Sequence, residues 1–367
     1  MKLLCLVVVS VLLAGQATAQ QERFRTETEL VEVNVLVTNK NGEVVHGLTK
    51  DDFTILDEGK PQPVTNFSFI EIPFSNTGDV KLAMTIAESG VDVRAESLGR
   101  VYIMILDDLH TTSCASDLPE CEVASAWFDV KKRAQLFVEQ FFSDNDLMSI
   151  VYSSGIGGLG QDFTNDRGLL LKALGRFVGR RPNGDVEATL AERRANALKF
   201  FRVVNDLTAW SNENLPTQRK VVLLFSEGVE GLNQLPRSDR RAMVEPSINA
   251  QIMADNAAFA SIMGDTKKNL RGANLSIVSI DARGLGAPNS GHQSLMMLSE
   301  ETGENPILRT NDFARAFSRV VHEHSSHYLL GYVMPSGNKP GTTRKITIKV
   351  NGRGLEVRHR QGYIVPH

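Results

Sequence analysis

Four short runs, "VYIMIL", "LMSIVYSS", "KVVLLFS" and "NLSIVSID", are nearly continuous in apolar residues, and helical periodicity fills the stretches between them. A strand apolar on both faces must be covered on both faces, and helices between successive strands make such a sheet parallel. In the helix beginning near Trp127, residues Trp127, Val130, Ala134, Phe137 and Phe141 share one face, while Lys131, Lys132, Gln135 and Glu139 lie largely outside it. That aromatic stripe is read as core rather than as a ligand box. Further helices are expected over 166–180, 192–210, 249–271, 295–302 and 312 to about 324. The segment 100–326 is therefore predicted to be a doubly wound, mostly parallel α/β domain.

The flanking segments obey a different rule. Residues 28–37, "TELVEVNVLV", alternate polar and apolar, and Asn41-Gly42 and Glu58-Gly59 supply turns before further short strands. These signals predict a small β-module over 28–75, most simply a sandwich. Periodicity fades in 76–99, which holds "SNTGD" and "AESLG" and is read as a linker or loose excursion. After residue 326 the runs "HYLLGYVMP", "TRKITIKV" and "LEVRHR" predict a C-terminal β-strand extension over 327–367. These strands either extend the edge of the α/β sheet or pair with the N-terminal module, and local pattern does not choose.

The first 19 residues, "MKLLCLVVVSVLLAGQATA", have one lysine, a short apolar run and a small-residue ending, as an export signal does; 20–27 is read as a flexible N-terminus. No later run reaches about 18 apolar residues, so no integral membrane span is expected in the mature chain. The expected location is periplasmic or extracellular. There Cys114 and Cys121, with six residues between them, are expected to form a disulfide, with two free thiols as the alternative. The formal charge of −3 gives no electrostatic case for nucleic acid or an anionic membrane.

The strand ends carry the chemistry. Parallel sheets place ligands outside the carboxyl ends of their strands. "VYIMIL" ends in Asp107 and Asp108, followed by His110, Thr111, Thr112 and Ser113; "LGQDFTND" offers Thr164; "LLFSEGVE" offers Ser226 and Glu227. Such hard oxygens suit Mg²⁺, or else Ca²⁺ or Mn²⁺, better than a soft metal. The plain alternative is that Asp107 and Thr164 cap turns or helices while Glu227 is solvated.

Asp107-x-Leu109-x-Thr111, with Thr164 and the Glu227 of "FSEG", resembles the metal-ion-dependent adhesion site of von Willebrand factor type A domains. The ordered set "VEVNVLVTNKNGEVVHGLTKDDFTILDEGKPQPVTNF", "ILDDLHT", "QDFTNDRGLLLKAL", "LSEETG" and "HYLLGYVMPSG…GLEVRHRQGY" is similar to the type A-related secreted proteins common in Acidobacteria, from about Thr28 to Tyr363. The resemblance implies a non-catalytic recognition or adhesion domain that captures a protein or other macromolecule through a cation held by Asp107, Thr111, Thr164 and Glu227. Two departures make that site degenerate. Leu109 cannot donate oxygen, and the shifted register Asp108, His110, Thr112 inserts an imidazole.

Other motifs fall away on inspection. Gly155, Gly157 and Gly160 satisfy the spacing of a dinucleotide loop, but no helix follows directly and position 180 lies in "GRRPNG", so no nucleotide is expected. "VHEHSSHY" lacks the second zinc-protease histidine because Ser326 stands there, and His324 continues the apolar face of Phe313, Phe317 and Val320. A hydrolase pairing His110 with Ser113 or Asp108 has no nucleophile elbow to support it. Two alternatives to recognition are retained: metal-assisted hydrolysis by the same carboxylates, and a structural envelope role with a vestigial site.

Overall fold

The computed structural model describes residues 29–72, 99–112, 126–156, 158–180, 190–215, 219–229, 246–286 and 291–366. The expected signal segment, the 20–27 stretch, nearly all of the 76–99 linker and both Cys114 and Cys121 lie outside them. In chain order the elements are β1 (Leu30–Asn39), β2 (Phe53–Asp57), β3 (Lys60–Gln62), β4 (Asn66–Glu71), β5 (Val101–Leu106), α1 (Ala126–Gln140), β6 (Leu147–Tyr152) and β7 (Gln161–Thr164). There follow α2 (Arg167–Gly175), α3 (Leu190–Asn214), β8 (Lys220–Phe225), α4 (Pro246–Gly272), β9 (Leu275–Ile280), α5 (His292–Glu301) and α6 (Phe313–Ser325). Four strands close the chain: β10 (Ser326–Val333), β11 (Thr343–Val350), β12 (Leu355–His359) and β13 (Gly362–Ile364).

The central sheet has the order β7-β6-β5-β8-β9. Strands β6, β5, β8 and β9 are parallel and share a level register through Leu147, Val101, Lys220 and Leu275. Every residue of β5, β8 and β9 is buried, as their unbroken apolar composition requires. Successive β5 side chains serve opposite layers. Tyr102, Met104 and Leu106 pack with Phe137, Phe142 and Phe317, whereas Ile103 and Ile105 pack with Phe200, Phe201 and Leu295. Each such fully buried side chain contributes about 1.5–3 kcal/mol relative to exposure.

Two helices begin one residue later than their periodicity suggests, because the polar residue expected inside them is the cap. Asp166 accepts from the backbone N–H groups of Gly168 and Leu169 at 2.7 and 3.2 Å, and Asp312 from that of Arg315 at 3.1 Å. His324 is buried, 1 % exposed, at the phase expected for it.

The remaining strands form two four-stranded antiparallel sheets, β12-β1-β10-β4 and β13-β11-β2-β3. β10 lies between β1 and β4, and β11 lies between β2 and β13. The question left open by local pattern is thus resolved. The 28–75 module and the 327–367 extension are two parts of one β-unit, and the α/β domain is inserted between them. Their shared core joins Val33, Val35 and Ile55 from the first part to Leu330, Tyr332, Ile346 and Ile348 from the second. The β2–β3 hairpin turns on Glu58 (φ 49°) and Gly59 (φ 77°), the paired left-handed conformations of a two-residue type I′ turn. At the heart of this unit Asp57, fully buried, accepts from the hydroxyls of Tyr332 and Tyr363, both at 2.9 Å, and pairs with Arg344 at 2.7 Å.

Candidate functional site

The carboxyl ends of the four parallel strands carry, in spatial order, Ser153 and Ser154 after β6, Asp107 and Asp108 after β5, Ser226 and Glu227 after β8, and Asp281 after β9. Backbone bonds continue the ladder one step past the strands. Ser153 N–H donates to Leu106 O at 3.0 Å, Asp107 N–H to Phe225 O at 3.0 Å, and Ser226 N–H to Ile280 O at 3.1 Å. β5 is the point from which the sheet grows both ways, toward β6 and toward β8, so this edge is the place where open α/β sheets take their ligands.

Asp107 is the hub and has no solvent exposure. Its Oδ1 accepts from Ser153 Oγ at 2.6 Å and its Oδ2 from Ser226 Oγ at 2.5 Å, while His110 Nδ1 lies 3.0–3.1 Å from both oxygens. Burial pushes the carboxyl up, but the His110 imidazole and the bonds from His110, Ser153 and Ser226 outweigh it, and the net shift is downward. Asp107 is held as a carboxylate.

The neighbouring acids are similarly engaged. Asp108 accepts from Ser154 N–H at 2.8 Å and from Arg180 Nε at 2.7 Å. Glu227, 4 % exposed, accepts from Thr112 N–H at 2.6 Å and from Thr112 Oγ1 at 3.2 Å, and Arg283 Nη1 reaches its Oε2 at 3.0 Å. Arg283 also clasps Asp281 through Nε at 2.9 Å and Nη2 at 2.7 Å, and His292 Nε2 completes Asp281 at 2.8 Å. Gly228 and Gly291 permit the loops to meet: a Cβ on either would lie 2.1 Å from a carbonyl oxygen of the other loop. Asp107 and Glu227 therefore lie along one edge, together with Thr111 and Thr112.

Thr164 does not join them. It ends the antiparallel edge strand β7 and pairs with Met148 near the start of β6. That places it at the amino edge of the sheet, about 13 Å of strand rise below Tyr152. Its Oγ1 instead accepts from Asp166 N–H at 3.0 Å ahead of α2. The reversal of β7 is the physical reason: a residue just before a helix reads as a strand end, but this strand runs the other way.

Thr164 thus drops out of the set of oxygens that the sequence offers to a hard cation. The carboxylate oxygens that would coordinate one accept from Ser153, Ser226, Thr112, Arg180 and Arg283 or lie against His110, and no group of three or more His, Cys, Asp or Glu residues is arranged to hold a metal among the described residues. The two registers are both used, but for different ends. Asp107 gathers the sheet ends, Asp108 ties down Arg180, and Leu109 is packed away at 8 % exposure. Thr111 Oγ1, Ser154 Oγ and His110 Nε2 are buried without a hydrogen-bond partner. The Asp107–His110 pair thus has the orientation of an acid–base dyad, but the nitrogen that would take a proton from a nucleophile bonds no hydroxyl.

Ser153, Asp281, Arg283, His292 and Arg180 were not singled out by the sequence. Asp281 carried the same signal as Asp107, an acid immediately after an apolar strand; its partners carry none until the loops are folded together.

No family model matches the chain, and no curated protein matches it. Among solved structures it is similar to an aerotolerance-related membrane protein from Bacteroides fragilis, with 11% identity over 61% of this chain and 98% of that chain at a TM-score of 0.34. It is likewise similar to the conserved hypothetical protein BatB from Bacteroides thetaiotaomicron, with 10% identity over 62% of this chain and 98% of that chain, also at 0.34.

Proposed function

We propose that this chain is an exported, non-catalytic recognition module of the von Willebrand type A kind, which engages a macromolecular partner with the carboxyl edge of its parallel sheet. The observation that carries the reading is the company kept by the buried polar network. Of three exposed apolar side chains, Ile156 (40 %) and Leu285 (63 %) follow the ends of β6 and β9, and Val178 (52 %) precedes the half-exposed Arg180, whose backbone N–H donates to Asp108 O at 2.8 Å. Exposed apolar groups set around a rigid polar platform suit a protein partner better than a small substrate, which needs a concave site.

In this reading the platform needs no divalent cation. Arg283 supplies positive charge between Glu227 and Asp281, and Arg180 does the same for Asp108. An acidic group from a partner would meet guanidinium rather than Mg²⁺.

The test is positional photo-crosslinking in cells that export the protein. A photoreactive residue in place of Val178 or Leu285 is expected to give one common heavier adduct, and the same residue in place of Lys349 or Glu356 on the β-unit is expected to give none. Adducts absent from the edge, or equally abundant from the β-unit, would count against the proposal.

A further inference from the structure

At the opposite, amino edge of the parallel sheet, a small cleft of about 20 Å³ lies between the α/β domain and the β-unit. Arg219, Asn274, Ser276 and Glu304 line it from one side, and Arg358 and Arg360 from the other. Glu304 lies 3.5 Å from Arg219 and 3.4 Å from Arg358, and Glu323 takes the other end of Arg358. Arg360 is different. Its Nη2 donates to the backbone carbonyl of Glu32 at 2.6 Å, and its Nε is buried without a hydrogen-bond partner. Arg219 Nη1 is buried and unpartnered in the same way.

The other polar groups nearby do not remove this excess of donors. His359 is spent: its Nδ1 bonds Arg360 O at 2.7 Å and its Nε2 accepts from Ile348 N–H at 3.1 Å. Lys220, the next residue after Arg219, directs its ammonium to the carbonyls of Leu215 and Ser211 at 2.7 and 3.3 Å. Burial, and after it the positive charge of Arg219, push His327 down to about 3, so it adds no charge. Buried guanidinium N–H groups left without acceptors cost free energy, and native structures fill such places with an ion or with water. Guanidinium, planar and permanently charged, selects oxyanions for that role.

We propose that this cleft is a binding site for a small oxyanion, held by Arg219 and Arg360 at the junction between the two parts of the molecule. An anion there would satisfy both free N–H groups and join the β-unit to the sheet. The site lies at the other end of the sheet from the proposed recognition face and stands independently of it.

The experiment is isothermal titration of the full chain with phosphate, sulfate and acetate, with chloride holding the ionic strength constant. At least one of the three is expected to give saturable, one-to-one heat and a matching rise in melting temperature. Arg360→Gln is expected to weaken binding at least tenfold, while Arg353→Gln, exposed and away from the cleft, leaves it unchanged. If Arg360→Gln does not fold by circular dichroism, Arg219→Gln decides instead. No saturable heat with any of the three anions would mean that water alone fills the cleft and would overturn the proposal. Equal affinity in the wild type and the folded arginine variant would overturn it as well.

Discussion

Arg283 lies 3.0 Å from Glu227 and draws the end of β8 to the end of β9, because the same guanidinium also clasps Asp281. Two nearly buried carboxylates from different strands thus share one cation that the chain itself supplies. This is the arrangement that makes the edge a platform rather than a set of independent loops.

Removing that cation leaves Glu227 and Asp281 facing each other in a poorly solvated place. Arg283→Met is expected to destabilise the protein by about 3 kcal/mol, at the lower end for a broken buried pair because Arg283 retains some solvent contact. The midpoint of urea unfolding measures it. A change below about 1 kcal/mol would show the pair to behave as a surface bridge.

Asp107 makes the edge sensitive to acid. Its folded-state carboxyl sits below the ordinary aspartate value of 3.8, despite burial, because His110, Ser153 and Ser226 favour the charged form. The unfolded chain therefore takes up this proton first as pH falls. The stabilisation is present above about pH 4 and is lost as pH drops through the folded-state value. Melting temperatures followed from pH 6 to pH 2 should fall less steeply for Asp107→Asn than for the wild type, and the variant should already be less stable at pH 6.

Lys220 gives the opposite signature at alkaline pH. Burial, with a smaller contribution from Arg360, pushes its ammonium down to about 8 from the ordinary 10.5. Between those values the unfolded chain holds a proton that the folded chain has released, so stability from this group rises with pH across that window. The stability difference between the wild type and Lys220→Met, taken from urea curves at pH 7.5 and pH 10, should shift in favour of the wild type. An unchanged difference would mean that the folded-state value is not depressed.

In the β-unit, Asp57 ties strands from both ends of the chain through Tyr332, Tyr363 and Arg344. Asp57→Ala is expected to cost about 3–5 kcal/mol, since it strands a guanidinium and two phenol hydroxyls together. Tyr332→Phe, which removes one hydroxyl and leaves the ion pair, should cost about 1.5–3 kcal/mol. Equal costs for the two would deny Asp57 its role as the hub.

The α/β core was legible because its information is local. Unbroken apolar composition in β5, β8 and β9 demands a sheet covered on both faces, and the phase of His324 follows from the 3.6-residue period. What escaped was information held in pairing. Whether β10 joins the sheet or the β-unit depends on partners such as Leu330 and Val33, paired across nearly three hundred residues. Thr164 was misplaced for the same reason, since its address depends on the direction of β7. Asp107 and Glu227 were legible as strand-end acids, but the side chains that engage them, Ser153, Arg180 and Arg283, sit in loops whose spacing in sequence says nothing about their contacts.

In the proposed mode of recognition this edge meets its partner with charge supplied by arginine rather than by metal. Calorimetry of the chelator-treated chain with Mg²⁺, Mn²⁺ and Ca²⁺ puts it to the question most directly. The expected trace shows no saturable heat for any of the three, and no change in melting temperature. Stoichiometric binding that disappears in Asp107→Ala would contradict it and return the edge to a cation-dependent mode of capture.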